Sequence, residues 1–256
     1  MSTGTVTARR PGPRSWLTLA LCEAKMVARD TAGLVVPILL PLLILVMSAA
    51  EASTDEVANG RSALDVYVLP LVFTIVMASI GIINMPSFLA YYRRSGILRR
   101  LAVTPASPAM VLVVQMLVSL VQAVAGIGVA FTVAVLAFEA RPPVHIWAAV
   151  GVVALAVLGM YGMGMIVAAL APTPNSAVAI GLTGFFALGA LGGLFGGTDA
   201  LPEPVARVGE WLAFGASAEA LSDAWAGVPL DAAHLVSLGL TTIVGMTVAA
   251  VAFRWE

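Results

Sequence analysis

The sequence predicts an all-α, polytopic membrane protein with six transmembrane helices. Three observations carry that expectation. Of 256 residues, 60% are hydrophobic and 11% charged, and mean hydropathy is +1.00; soluble domains run at about 45–50% apolar and about 25% charged. Six stretches contain no Asp, Glu, Lys or Arg, and each reaches the ~20 residues that cross a bilayer as a helix. Basic residues collect on one side of those stretches and acidic residues on the other. The apolar runs are continuous, so they are helices with internally bonded backbones and not strands of a barrel.

Before the first span, Arg14–Asp30 reads as a helix. At 100° per residue Trp16, Ala20 and Val27 share one side, and Arg14, Lys25 and Arg29 the opposite one. Such a helix lies in the inner interface, apolar face down, with Glu23 and Asp30 at the apolar edge. The spans are Thr31–Ala50, Val66–Ala90, Ala109–Phe138, Ile146–Ala171, Ser176–Gly196 and Ala232–Phe253. Pro37 and Pro41 are expected to kink the first. Asn84 and Pro86 mark a break in the second. On the third, Gln115, Ser119 and Gln122 fall at i, i+4 and i+7. Amides facing lipid would lack partners, so that face meets protein or a polar cavity. The fourth carries pliable apolar surface at Gly159–Met165. The fifth carries Phe185-Phe186, then Gly192–Gly196 and Gly193–Gly197 at the spacing of close helix approach. The last loop, Gly197–Asp231, holds two short helical stretches, Glu203–Phe214 and Ser217–Trp225. They read as a re-entrant hairpin dipping into the outer leaflet, anchored by Trp211 and Trp225.

Orientation follows from Lys and Arg. With both termini in the cytoplasm, Arg9, Arg10, Arg14, Lys25, Arg29, Arg93, Arg94, Arg99, Arg100 and Arg254 lie inside, ten of the thirteen basic residues, while eleven of the fourteen acids lie outside. Trp16, Tyr91, Tyr92 and Trp255 then border the inner interface, and Tyr67, Trp147, Trp211 and Trp225 the outer. A multi-pass plasma-membrane protein is expected.

Several chemistries are excluded or disfavoured. Cys22 is alone, so no internal disulfide forms, and no cleavable signal peptide is evident. A phosphate-binding loop needs Gly-Lys-Ser/Thr, whereas the one lysine, Lys25, follows Ala24; if ATP is used, another chain hydrolyses it. No His/Cys/Asp/Glu spacing fits a metal site. Ser217 and His234 are the one pair with the residue types of an intramembrane hydrolase, and interfacial polar residues are the default reading. Glu219 and Asp223, four apart, read as a solvated face. Ion-coupled transport normally needs ionisable groups within spans, and the six runs have no Asp, Glu, Lys or Arg, His234 falling at the outer end of the sixth.

The loop Tyr91–Pro108, "YYRRSGILRRLAVTPASP", holds four arginines: Arg93, Arg94, Arg99 and Arg100. In a helical turn Ile97, Leu98 and Leu101 cluster on one side. Thr104-Pro105 and Ser107-Pro108 end the turn, because residues before proline leave the helical region. The arginines alone are explained by an orientation signal with anionic headgroup contacts. The apolar stripe and paired prolines look instead like a shaped docking element.

With an interfacial helix, six spans and a hydrophobic hairpin before the last, the chain resembles permease subunits of the type-2 ABC exporter family, particularly actinobacterial drug-resistance permeases of the daunorubicin-exporter kind. The signature Arg-x-x-Gly-x-Leu-x-Arg-Leu-x-x-Thr/Ser-Pro maps onto Arg93, Gly96, Leu98, Arg100, Leu101, Thr104 and Pro105. "LPEPVARVGEWLAFGASAEALSDAWAG" is similar to the family's extracellular region. Many members carry a glutamate among the basic residues, where this chain has Tyr92-Arg93-Arg94-Ser95. The resemblance implies that the loop 91–108 forms a cytoplasmic coupling helix seated in a separate ABC ATPase subunit, with Arg93, Arg94, Gly96, Ile97, Leu98, Arg99, Arg100, Leu101, Thr104 and Pro105 as the coupling set. ATP and Mg would be bound by that partner, with no cofactor in this chain and no nucleic acid. A second copy, or a homologous permease, would complete the membrane part among lipids. The substrate path implied at the permease interface nominates Phe73, Met77, Ile80, Phe185, Phe186 and Leu188, beside the polar stripe Gln115, Ser119 and Gln122. The implied function is efflux of a hydrophobic or amphiphilic drug, lipid or cell-wall precursor. The alternative is a secondary transporter or a non-transport six-span scaffold.

Overall fold

A computed structural model describes residues 12–52, 55–97 and 108–252. It contains six helices long and apolar enough to cross a membrane. Spans 1 to 6 run Thr31–Glu51, Leu64–Arg94, Pro108–Phe138, Ile146–Leu170, Pro174–Leu191 and Ala232–Ala252. Span 2 is the centre of the bundle and mostly buried, while spans 1 and 6 are mostly bare. Large apolar side chains such as Met47, Val121, Ile243 and Val251 point outward, as suits a solvent of lipid tails.

Span 1 runs unbroken through Pro37 and Pro41. Pro37 has no N–H, so the Gly33 carbonyl four residues earlier loses its helical partner. Two side-chain amides replace it: Asn84 Nδ2 donates to that oxygen at 2.5 Å and Gln122 Nε2 at 2.7 Å. The freed carbonyl thereby ties spans 1, 2 and 3 together. Asp30 starts the helix by accepting from the Gly33 N–H at 3.1 Å.

Span 2 contains two π-helical segments, Leu64–Val68 and Ser79–Asn84. The second ends just before Pro86, which has no N–H to continue the ladder. Span 5 closes on that point: a Cβ at Gly181 would lie 2.6 Å from the Ile82 oxygen. Spans 4 and 6 cross as closely at Gly162, where a Cβ would lie 2.6 Å from the Thr241 oxygen. These glycines make the tight crossings. Of the glycines nominated from sequence, Gly192 does meet Phe214 and Gly215 of the hairpin, but span 5 has ended at Leu191, and Gly193, Gly196 and Gly197 take positive φ in the turn that follows.

The interfacial helix spans Pro13–Arg29 and buries Glu23 and Val27. The side that packs on protein carries Glu23 and Val27, and it leans on span 3. The last loop forms helices Glu203–Glu210 and Ala213–Ala226. The second is buried against spans 2, 4 and 6. Trp225 is accordingly a core residue, edge-on to Phe73 with centroids 5.5 Å apart, and not a membrane anchor; Trp211 is exposed. A small β-hairpin pairs Glu56–Ala58 with Arg61–Ser62. Its Asn59-Gly60 turn has φ of 47° and 74°, the doubly left-handed geometry that Asn-Gly favours.

Candidate functional site

The loop 91–108 leaves the bundle at the end of span 2. Met85–Arg94 is helical, then Ser95 N–H reaches the Tyr91 carbonyl at 2.9 Å and Gly96 N–H the Arg93 carbonyl at 3.2 Å. Gly96 has φ of 68°. A Cβ there would touch nothing within 4 Å, so the reason for glycine is backbone conformation: a left-handed residue that ends the helix costs other residue types about 1–2 kcal/mol. The signature glycine is thus the point where span 2 stops, and Ile97 beyond it is partly buried against the core. Leu98, Arg99, Arg100, Leu101, Thr104 and Pro105 lie outside the described residues.

The base of this loop is clamped on two sides. Arg93 Nη2 donates to the Ala171 carbonyl at the end of span 4. Ala90, Ala171 and Ala177 form a small buried cluster beneath it. Ala171 leads into span 5, whose start is fixed by a capping box: Thr173 Oγ1 accepts from the Ser176 N–H at 3.1 Å and Ser176 Oγ from the Thr173 N–H at 2.9 Å. On the other side, the Tyr92 hydroxyl donates to Glu23 Oε2 of the interfacial helix and also approaches Met26 Sδ at 3.5 Å. Glu23 is 5% exposed. Burial pushes its carboxyl above the usual carboxylate range, and the Tyr92 hydrogen bond pulls it part of the way back. Arg94 and Tyr91 are exposed. Displacing the loop base would therefore move span 2, the span 4–5 junction and the interfacial helix together. A cavity of about 360 Å³ lies beside it, among Met26, Arg29, Asp30, Ser87, Phe88, Tyr91 and Pro174.

The nominated path residues divide. Phe73, Met77, Ile80, Phe185 and Leu188 are inside a single chain. Phe73 is held edge-on between Phe131 and Trp225, and Phe185 edge-on to Phe214. Phe186 is 47% exposed and stacks on exposed Phe195 with centroids 6.4 Å apart. Gln115, Ser119 and Gln122 all turn inward. Gln122 holds the Gly33 carbonyl. Gln115 is 1% exposed, and both polar atoms of its amide lack a partner among the described residues.

The other candidate chemistries do not assemble. The Ser217 hydroxyl is buried and donates to the Ala213 carbonyl at 2.6 Å, so it is engaged in its own helix and not with His234. Glu219 and Asp223 are half-buried rather than solvated. Burial raises both carboxyls above their ordinary range; His234 lowers both, a Thr198 hydrogen bond further lowers Glu219, and an Asp231 backbone hydrogen bond further lowers Asp223. Among the described residues no group of three His, Cys, Asp or Glu could hold a metal ion. Sequence reasoning missed the Tyr92–Glu23 contact and the β-hairpin. Asn59-Gly60 was a readable signal for the second; the first had none, since it joins residues 69 apart.

A comparison with curated proteins finds no match. The family model described as ABC-2 family transporter protein matches residues 44–254, which take in five whole spans, the loop 91–108 and the two short helices before span 6. In that family the membrane subunit has no ATPase site of its own and works with an ABC ATPase. The chain belongs to the ABC-2 transporter family, as a multi-pass permease subunit of an ABC exporter.

Proposed function

We propose that this permease moves a hydrophobic or amphiphilic compound out of the cell, driven by a separate ATPase subunit that binds ATP and Mg and seats on the loop 91–108. Both termini face the cytoplasm, and the working unit is two permeases with two ATPases, the second permease being a copy of this chain or a homologue. The observation that carries the reading is the clamped loop base. Arg93 joins it to span 4, Tyr92 joins it to the interfacial helix, and Gly96 ends span 2 in a left-handed conformation. A push at the loop then reaches several spans as one rigid body.

The path runs between permeases along spans 2 and 5. Phe186, with Phe195, offers it an exposed aromatic surface. Phe185 backs Phe186 edge-on from within, while Phe73, Met77, Ile80 and Leu188 are buried in the bundle, and the unpartnered amide of Gln115 is the polar point of the stripe it shares with Ser119 and Gln122. The test is reconstitution in vesicles with the ATPase. ATP should drive accumulation of an amphiphilic dye only when both proteins are present. Hydrolysis by the isolated chain, or dye movement without ATPase, would sink the proposal.

A further inference from the structure

At the end of the bundle opposite the loop 91–108, a cavity of about 530 Å³ lies between the ends of spans 1 and 3 and the β-hairpin. Its charged wall is fixed by cross-bonds. Arg141 Nη1 donates to the Gly60 carbonyl at 2.7 Å, and Arg61 Nε to the Pro142 carbonyl at 2.9 Å. Asp65 is 2% exposed. Its Oδ1 accepts from the Arg141 N–H at 2.7 Å, and its Oδ2 from the N–H and hydroxyl of Ser62 at 3.1 and 3.2 Å. That carboxylate is engaged in holding the scaffold. Two uncommon backbone features adjoin it: the π-helical turn Leu64–Val68 and Glu139 at φ 55°. Such features concentrate at functional sites.

The groups still open to the cavity are of both signs. A guanidinium has five donors, and Arg61 and Arg141 each give one side-chain donor to the scaffold. Neither forms an ion pair among the described residues. Glu139 lines the same space, as does Glu56, whose Oε1 accepts from the Gly60 N–H at 2.5 Å, leaving Oε2 for a ligand. Leu64 and Phe138 add apolar wall. An anionic ligand would leave the acids unmatched, and a cationic one the arginines. A small head bearing both charges, on an apolar tail, matches all four groups. We propose that this cavity holds the headgroup of a zwitterionic phospholipid, its phosphate on Arg61 and Arg141 and its ammonium on Glu56 and Glu139. Guanidinium forks suit phosphate oxygens, and the span ends keep the acyl chains in the bilayer. The assignment rests on the membrane placement of the chain and not on transport.

The test uses the full-length chain in detergent, stripped of lipid and without ATPase. Phosphatidylethanolamine, phosphatidylglycerol and a diacyl trimethylammonium lipid are titrated in turn, with retention read by native mass spectrometry. Phosphatidylethanolamine should bind about tenfold or more tightly than the others, the scale of one charge-assisted contact. Glu139→Gln alters an exposed side chain; it should bring phosphatidylethanolamine down to the phosphatidylglycerol level and leave phosphatidylglycerol unchanged. Arg61→Gln should weaken both phosphate lipids and spare the cationic one. Equal binding of all three lipids, or an undiminished preference in Glu139→Gln, overturns the proposal. Displacement by equimolar glycerophosphoethanolamine would assign the cavity to a soluble zwitterion and overturn the lipid assignment. Because no ATPase is present, failure here leaves the permease reading standing.

Discussion

The Gly33 carbonyl offers a quantitative test of how spans 1, 2 and 3 are joined. Pro37 removes its helical donor, and Asn84 and Gln122 supply two others at 2.5 and 2.7 Å. Removing one amide leaves the oxygen with the other, so Asn84→Leu and Gln122→Met should each cost about 0.5–1.5 kcal/mol, nearer the low end if the measured ~0.6 kcal/mol for hydrogen bonds in membranes applies. Removing both leaves a buried acceptor unpaired, which adds about 1–3 kcal/mol. The double variant should thus lose more than the sum of the singles. Pro37→Ala restores an N–H within the helix. Its effect should be more favourable in the double variant than in the parent by that same ~1–3 kcal/mol, whatever proline itself costs the helix. At roughly 2–4 °C per kcal/mol for a chain this long, thermal unfolding of the purified protein resolves the cycle. Additivity within about 0.5 kcal/mol, with Pro37→Ala acting equally in both backgrounds, would refute the reasoning.

Three further outcomes are expected. Gln115→Leu removes a buried amide that has no partner among the described residues, so it should raise the unfolding temperature while lowering transport; a gain in stability with unchanged transport would remove Gln115 from the proposed path. Glu23 has a folded pKa raised from its ordinary 4.5, so stability should fall as pH rises from about 4.5 through the folded value and level off above it. Glu23→Gln should flatten that slope, and Tyr92→Phe, which leaves the carboxylate without its donor, should be the less stable variant at pH 7; parallel profiles for Glu23→Gln and the parent would refute this. With exposed Cys22 first replaced by Ser, Val57→Cys should react with an impermeant thiol reagent on intact cells and Ser107→Cys should not; labelling of both would refute the orientation.

The six spans were legible because charge is excluded from hydrocarbon, so its absence marks each one. Which face of a span meets protein was far less legible. Lipid tails are as apolar as leucine, so the sequence of buried span 2 resembles that of bare span 1. That is why Phe73, Met77 and Ile80, nominated for a surface path, turn out to be core. Polar residues are the exception, since an amide must find a partner: Gln115, Ser119 and Gln122 could be placed inward from spacing alone. The partner of Gln122 could not, because it is a carbonyl 89 residues away. At the loop base, Arg93 and Gly96 stood out from the signature. Their physical roles, a donor to Ala171 and a left-handed helix stop, needed the fold.

We propose that the loop 91–108 docks an ATPase through Leu98 and Leu101 more than through its charge. The direct measurement is co-purification of the ATPase with Leu98→Ser/Leu101→Ser, alongside membrane insertion. Each buried leucine contributes about 1.5–3 kcal/mol, so losing both should weaken the complex by about 10²-fold or more in a chain that still inserts normally. If the double variant inserts, retains its ATPase in full and exports at the parent rate, the arginines serve only to orient the chain, and the docking account is contradicted.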